Sequence, residues 1–143
     1  REKLGGAVEL VQGDAERLPF ANRRFEVLLC NDSFHHYPNP GAAAAEFARV
    51  LQPGGVLLLG DCTAPAGLRG VANLFLPLSG EGDVRLYSGA ELAALLEEAA
   101  ARKGRHAAIR LNRPQAVLEV HFQEAPPAEA CTAQEANEGE EEG

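Results

Sequence analysis

Methionine and tryptophan are both missing from this 143-residue chain. A chain without methionine does not open at its own start codon, so it reads as a piece of a longer protein. No stretch approaches the roughly 18 consecutive apolar residues that a membrane span requires. The opening REKLGGAVEL also lacks the charged-then-apolar plan of a signal peptide. Cysteine is scarce: Cys30, Cys62 and Cys131 form no C-x-x-C pair and no metal-binding spacing, which suits reduced thiols and a cytoplasmic setting. A basic excess is lacking too, since 13 Lys and Arg face 21 Asp and Glu, and this argues against electrostatic capture of nucleic acid. A G-x-S-x-G elbow, the mark of one large class of α/β hydrolases, does not occur.

The acidity that is present is concentrated. Seven glutamates and no Lys or Arg fall in residues 124–143, which leaves residues 1–123 at −1 of the overall −8. This segment, EAPPAEACTAQEANEGEEEG, has almost no large apolar side chains with which to offset the entropy of ordering, and is expected to be a disordered acidic tail. Residues 1–123 are then the body of a single domain.

Along that body, apolar runs alternate with helical patterns. Val8, Leu10 and Val11 predict a short strand ending at Gln12–Gly13, and FEVLLC at 25–30 predicts a strand buried on both faces. Asn39–Pro40 reads as an N-cap followed by proline at the first helical position, opening a helix with Ala43, Phe47, Val50 and Leu51 on one face. Pro53–Gly54–Gly55 ends it, and Val56–Leu59 is the next strand, closed by Asp61. In residues 64–80, Leu68, Val71, Phe75 and Leu76 admit either a short helix or a lid over a pocket. Ser88 and Glu91 form a capping box ahead of Leu92, Leu95, Leu96 and Ala99 at helical spacing, with Arg102, Lys103 and Gly104 at the end. His106–Leu111 and Ala116–Phe122 predict an antiparallel hairpin. The order implies a mostly parallel α/β sheet with one antiparallel strand added by the hairpin.

Three stretches in this order, GDAERLPF (13–20), FEVLLCNDSFHHYPNP (25–40) and EFARVLQPGGVLLLGD (46–61), resemble the class I S-adenosylmethionine-dependent methyltransferases of small-molecule type. The resemblance implies a Rossmann-like sheet and S-adenosylmethionine as cofactor. It places Asp14 as acceptor for the adenine amino group, the backbone N–H of Ala15 on a ring nitrogen, and Asn31 toward the methionine end. Leu18 and Phe20 would pack beneath the loop. The acceptor implied is a small molecule, with neither nucleic acid nor membrane as partner.

His35 and His36 are the candidates for a general base, because an imidazole near its free pKa can accept a proton from a hydroxyl or amine. No metal is expected, since adjacent histidines rarely converge on one ion and no third ligand stands at a useful spacing along the chain. One departure from the family matters. Its glycine-rich turn of G-x-G-x-G type, and the acid that holds the ribose hydroxyls, do not occur here. The chain is therefore expected to be a carboxyl-terminal part, with a truncated sheet, of a methyltransferase whose first two strands lie upstream. The alternative is a non-catalytic remnant acting as an interaction module.

Overall fold

A computed structural model describes residues 8–76, 84–112 and 117–124. The strands are β1 (Phe25–Asn31), β2 (Leu51–Gly60), β3 (Arg105–Asn112) and β4 (Val117–Glu124). The helices are α1 (Pro40–Val50), α2 (Ala66–Phe75) and α3 (Gly89–Ala101), with a 3-10 turn at Phe34–His36. The sheet order is β1-β2-β4-β3. β1 pairs with β2 in parallel, β4 is antiparallel to both of its neighbours, and three of the four strands consequently run the same way. This is an α/β sheet as the alternation implied, of the Rossmann-like kind that the resemblance implied, and β4 is its one reversed strand.

Leu57 and Leu59 of β2, with Leu118, Val120 and Phe122 of β4, line the covered face of the sheet and are fully buried. They meet Ala43, Ala44 and Phe47 of α1 and Leu92 and Leu96 of α3. The small alanines let α1 lie close to the strands, and each fully buried Leu or Phe contributes about 2–3 kcal/mol. The opposite face is bare at the β1 side, where Val27 is 59% and Leu29 70% exposed, so the strand expected to be buried on both faces is covered on one only, because it is the edge of the described sheet. Cys30 is a small buried core residue, as its place in the apolar run implied.

The capping signals are realised. Asn39 Oδ1 accepts from the Ala42 N–H at 3.1 Å, with Pro40 opening α1. The Ser88–Glu91 capping box is complete. Residues 66–75 of the ambiguous stretch form α2, whose apolar side (Leu68, Val71, Phe75) is exposed.

Three further expectations need correction. Residues 8–12 form no strand, and Val8, Leu10 and Val11 are exposed. An apolar run becomes a strand only where another edge satisfies its backbone groups, and here β1 is the edge of the sheet. β2 starts at Leu51 rather than Val56: Phe25 pairs with Leu51 and Val27 with Val56, so the Pro-Gly-Gly segment is absorbed as an irregularity inside the strand. Glu124, counted in the tail, is the last residue of β4 and pairs with Arg23 at 3.0 Å. Residues 125–143, including Cys131, and the turn at 113–116 lie outside the described residues.

Candidate functional site

The site is built on the carboxyl ends of β1 and β2 and on the loop that precedes β1. In the loop, Asp14 Oδ1 accepts from the Glu16 N–H at 2.9 Å, and the Asp14 carbonyl accepts from the Arg17 N–H at 3.0 Å. Gly13 is glycine for a steric reason, since a Cβ there would lie 2.6 Å from the Pro19 ring. Glu16 Oε1 accepts from the Asn39 N–H at 2.7 Å, which ties the loop to the start of α1.

A second tie comes from the other end of α1. Glu46 and Arg49 form an ion pair at 2.7 Å. Arg49 also donates to the carbonyls of Leu18 (3.0 Å) and Phe20 (2.8 Å), while Glu46 accepts from the Leu18 N–H at 2.8 Å. The hydrogen bonds from Arg49 hold the Glu46 carboxyl below its ordinary range. Neither residue was given a role from sequence, although a Glu and an Arg three apart on a helix are the signal that would have found them.

Thus anchored, the loop and β1 enclose a cavity of about 470 Å³ lined by Ala15, Leu18, Phe20, Phe25 and Asn31 among others. That volume is in the range of small-ligand pockets, about 300–1,000 Å³. Phe20 and Phe25 stand edge to face, 5.0 Å between ring centres. Asn31 pairs in register with Gly60, and a Cβ on Gly60 would lie 2.8 Å from Asn31 Oδ1, so glycine there makes room for the amide. The structure therefore brings Ala15 and Asn31, 16 positions apart in sequence, into one cavity, with Asp14 next to Ala15.

The two histidines part company. Phe34 is fully buried, with its ring 5.3 Å from Tyr37, 5.8 Å from Tyr87 and 6.2 Å from Phe47. This anchor fixes the 3-10 turn, burying His35 and leaving His36 exposed. His35 Nδ1 lies 2.5 Å from Asp61 Oδ1 and 3.5 Å from Cys62 Sγ. A carboxylate acceptor at that distance makes Nδ1 the protonated nitrogen of the neutral ring. Neither histidine lines the cavity of Ala15 and Asn31. Sequence spacing offered His35 no third ligand-type neighbour; the end of β2 supplies two, Asp61 and Cys62.

Fold and cavity together define an open α/β domain whose candidate site runs along β1 to Asn31 at its carboxyl end, the end at which such sheets usually bind ligands. Residues 1–59 match the family model described as a methyltransferase domain. A protein of Escherichia coli K12, YafE, whose function is uncharacterized, is 37% identical over 92 residues, covering 62% of this chain and 44% of that protein. Phthiotriol/phenolphthiotriol dimycocerosates methyltransferase 1 of Mycobacterium ulcerans is 46% identical over 61 residues, 43% of this chain and 22% of its own length. Among solved structures, a SAM-dependent methyltransferase from Thermotoga maritima superposes with a TM-score of 0.61 at 20% identity, covering 82% of this chain and 65% of that one. The chain resembles the S-adenosylmethionine-dependent methyltransferases in sequence and has their Rossmann-like fold. It spans less than half the length of the two curated relatives.

Proposed function

We propose that this chain contributes the adenine side of the cofactor site, and part of the methionine side, to an S-adenosylmethionine-dependent methyl transfer onto a small-molecule acceptor. The observation that carries the proposal is the cavity shared by Ala15 and Asn31, walled by Leu18, Phe20 and Phe25. Apolar side chains there suit the faces of an adenine, and Asp14, at the cavity's rim in sequence, offers an ionised acceptor to an exocyclic amine. The cofactor supplies an electrophilic methyl on a sulfonium, and the protein's task is chiefly alignment. Asn31 sits where its amide can orient the amino-acid end.

His35, whose Nδ1 faces Asp61 Oδ1 at 2.5 Å, and His36 are the two candidates for the general base that takes a proton from the methyl acceptor. The contacts to the ribose and the close glycine-rich approach belong to residues outside this chain. A small-molecule acceptor, a cytoplasmic location and the absence of nucleic-acid or membrane partners complete the proposal. A near-neutral body supports it, as does the absence, among the described residues, of any helix long and apolar enough to cross a membrane.

The test uses the longer protein that contains this chain. Asp14→Ala is expected to weaken S-adenosylmethionine binding about ten- to a hundredfold, the worth of one charge-assisted hydrogen bond. Asp14→Asn, which keeps an acceptor for the Glu16 N–H, separates loss of charge from loss of the turn. Unchanged affinity in both, by calorimetry on folded protein, removes Asp14 from the site.

A further inference from the structure

Four side chains at the ends of two neighbouring strands have no part in the cofactor cavity. Asp32 follows β1 and His35 lies in the 3-10 turn, while Asp61 and Cys62 follow β2. One ligand-type atom from each lies within 4.8 Å of every other. Asp32 is held in the left-handed region at φ 51°, which Asp tolerates better than most residues, and its N–H donates to the Gly60 carbonyl at 2.8 Å.

The independent observation is at Asp61. Its side chain is only 2% exposed. Oδ1 faces His35 Nδ1 and accepts from the Cys62 N–H at 2.9 Å. Oδ2 is buried and has no hydrogen-bond partner. A buried carboxylate oxygen without a donor carries an uncompensated desolvation cost, and a cation or a water removes it.

We propose that Asp32, His35, Asp61 and Cys62 form a binding site for a divalent, thiophilic cation of the zinc type. The donor set selects the ion: two carboxylates, one imidazole and one thiolate suit zinc, whereas magnesium or calcium takes oxygen ligands. Tetrahedral zinc with bonds of about 2.0 Å to N or O and 2.3 Å to S sets its ligands about 3.3–3.8 Å apart. The Cys62–His35 separation of 3.5 Å is already such an edge. The His35–Asp61 contact is at hydrogen-bond length, and it opens as the cation replaces the shared proton. On ligation through Nδ1 the His35 ring changes tautomer, its single proton moving by way of solvent from Nδ1 to Nε2, and the Cys62 thiol proton passes to solvent. A loaded site therefore cannot also use Nε2 as a base, so cation binding and proton acceptance at His35 exclude one another. The inference needs only these four groups and does not depend on the methyl-transfer proposal.

The experiment is titration of the 143-residue chain carrying Cys131→Ser, without cofactor, with Zn²⁺ by calorimetry and with Co²⁺ by absorption. One equivalent is expected to bind, with a thiolate-to-cobalt charge-transfer band and tetrahedral d–d intensity, and excess Mg²⁺ is expected not to compete. Cys62 is exposed, so Cys62→Ser leaves the core untouched. This variant is expected to lose the band and to weaken zinc binding at least about a hundredfold, more than the loss of an outer-sphere partner usually costs. Asp61→Asn, checked for folding by circular dichroism, is expected to weaken binding similarly. A wild-type chain with no thiolate band, or a band and affinity unchanged in Cys62→Ser, overturns the proposal and leaves Asp61 Oδ2 to a water.

Discussion

Arg49 does at the residue scale what no lysine can do. Its guanidinium spans the Leu18 and Phe20 carbonyls, the Asn22 amide oxygen and both oxygens of Glu46. A rigid fork can serve several acceptors at fixed angles, whereas an ammonium is a point charge. Arg49→Lys is expected to leave α1 helical but to release the loop that carries Asp14 and Ala15. Stability should fall by about 1–3 kcal/mol, the range for losing one or two charge-assisted hydrogen bonds. Denaturant melts measure that loss, and in the longer protein S-adenosylmethionine affinity should fall with it. An unchanged midpoint would show that the Glu16–Asn39 and Glu46–Leu18 hydrogen bonds hold the loop without the Arg49 fork.

The elements show which signals are local. Ser88 Oγ accepts from the Glu91 N–H at 3.2 Å and donates to Glu91 Oε2 at 2.7 Å, while the Ser88 N–H donates to the same oxygen at 2.8 Å. The hydrogen bond from the Ser88 backbone is the main cause that holds the Glu91 carboxyl below its ordinary range. A carboxyl with a lowered folded pKa adds stability that is complete above its unfolded pKa, about 4.3, and is lost as pH falls through the folded value. Ser88→Ala should cost about 1 kcal/mol at pH 7, roughly 3–5 °C in Tm, and the gap to wild type should narrow below about pH 4 by the share of the Ser88 hydroxyl–carboxylate bond, leaving the pH-independent cap on the Glu91 N–H. A constant gap down to pH 3 would mean that the carboxylate adds nothing.

Caps of this kind were legible because donor and acceptor lie three residues apart. The runs FEVLLC and VLLL were legible as neighbouring parallel strands, but burial on both faces was not, because β1 is the edge strand and leaves Val27 and Leu29 exposed. Residues 8–12 misled because a strand is a property of two segments, and the second cannot be read from the first. The grouping of Asp32 and His35 with Asp61 and Cys62 was invisible for a related reason. The two pairs are brought together by a strand pairing, so counting positions along the chain was the wrong measure.

At the scale of the whole molecule, the described sheet is covered on one face by α1 and α3, while β1 is an edge with Val27 and Leu29 exposed on the other face. The cavity of Ala15 and Asn31, proposed to take the cofactor, is lined by β1, the edge with which only β2 pairs among the described strands. Residues 1–143 alone are accordingly expected to bind S-adenosylmethionine only at millimolar concentrations or weaker. Losing two or three bonds of about 1.5–3 kcal/mol each takes a micromolar ligand, near −8 kcal/mol, into that range. Titration of the purified chain with the cofactor and with its demethylated product decides the matter. Saturation at tens of micromolar or tighter would show that these residues suffice.

The position of β4 also governs how the chain can be made. Val56 pairs with His121 and Gly60 with Val117, so the inner partner of β2 comes from the last described segment. A nascent chain that has released α1, β2 and α3 still lacks Leu118, Val120 and Phe122, three of its fully buried side chains. Among the described strands β1 and β2 are until then an isolated pair, marginal in water by itself, and Leu57 and Leu59 have no neighbours across β2's inner edge. Contacts of such long range form late and slowly, leaving apolar surface open in the interval. Closure of the sheet over Leu57 and Leu59 therefore waits on residues 117–124, which take their place between β2 and β3.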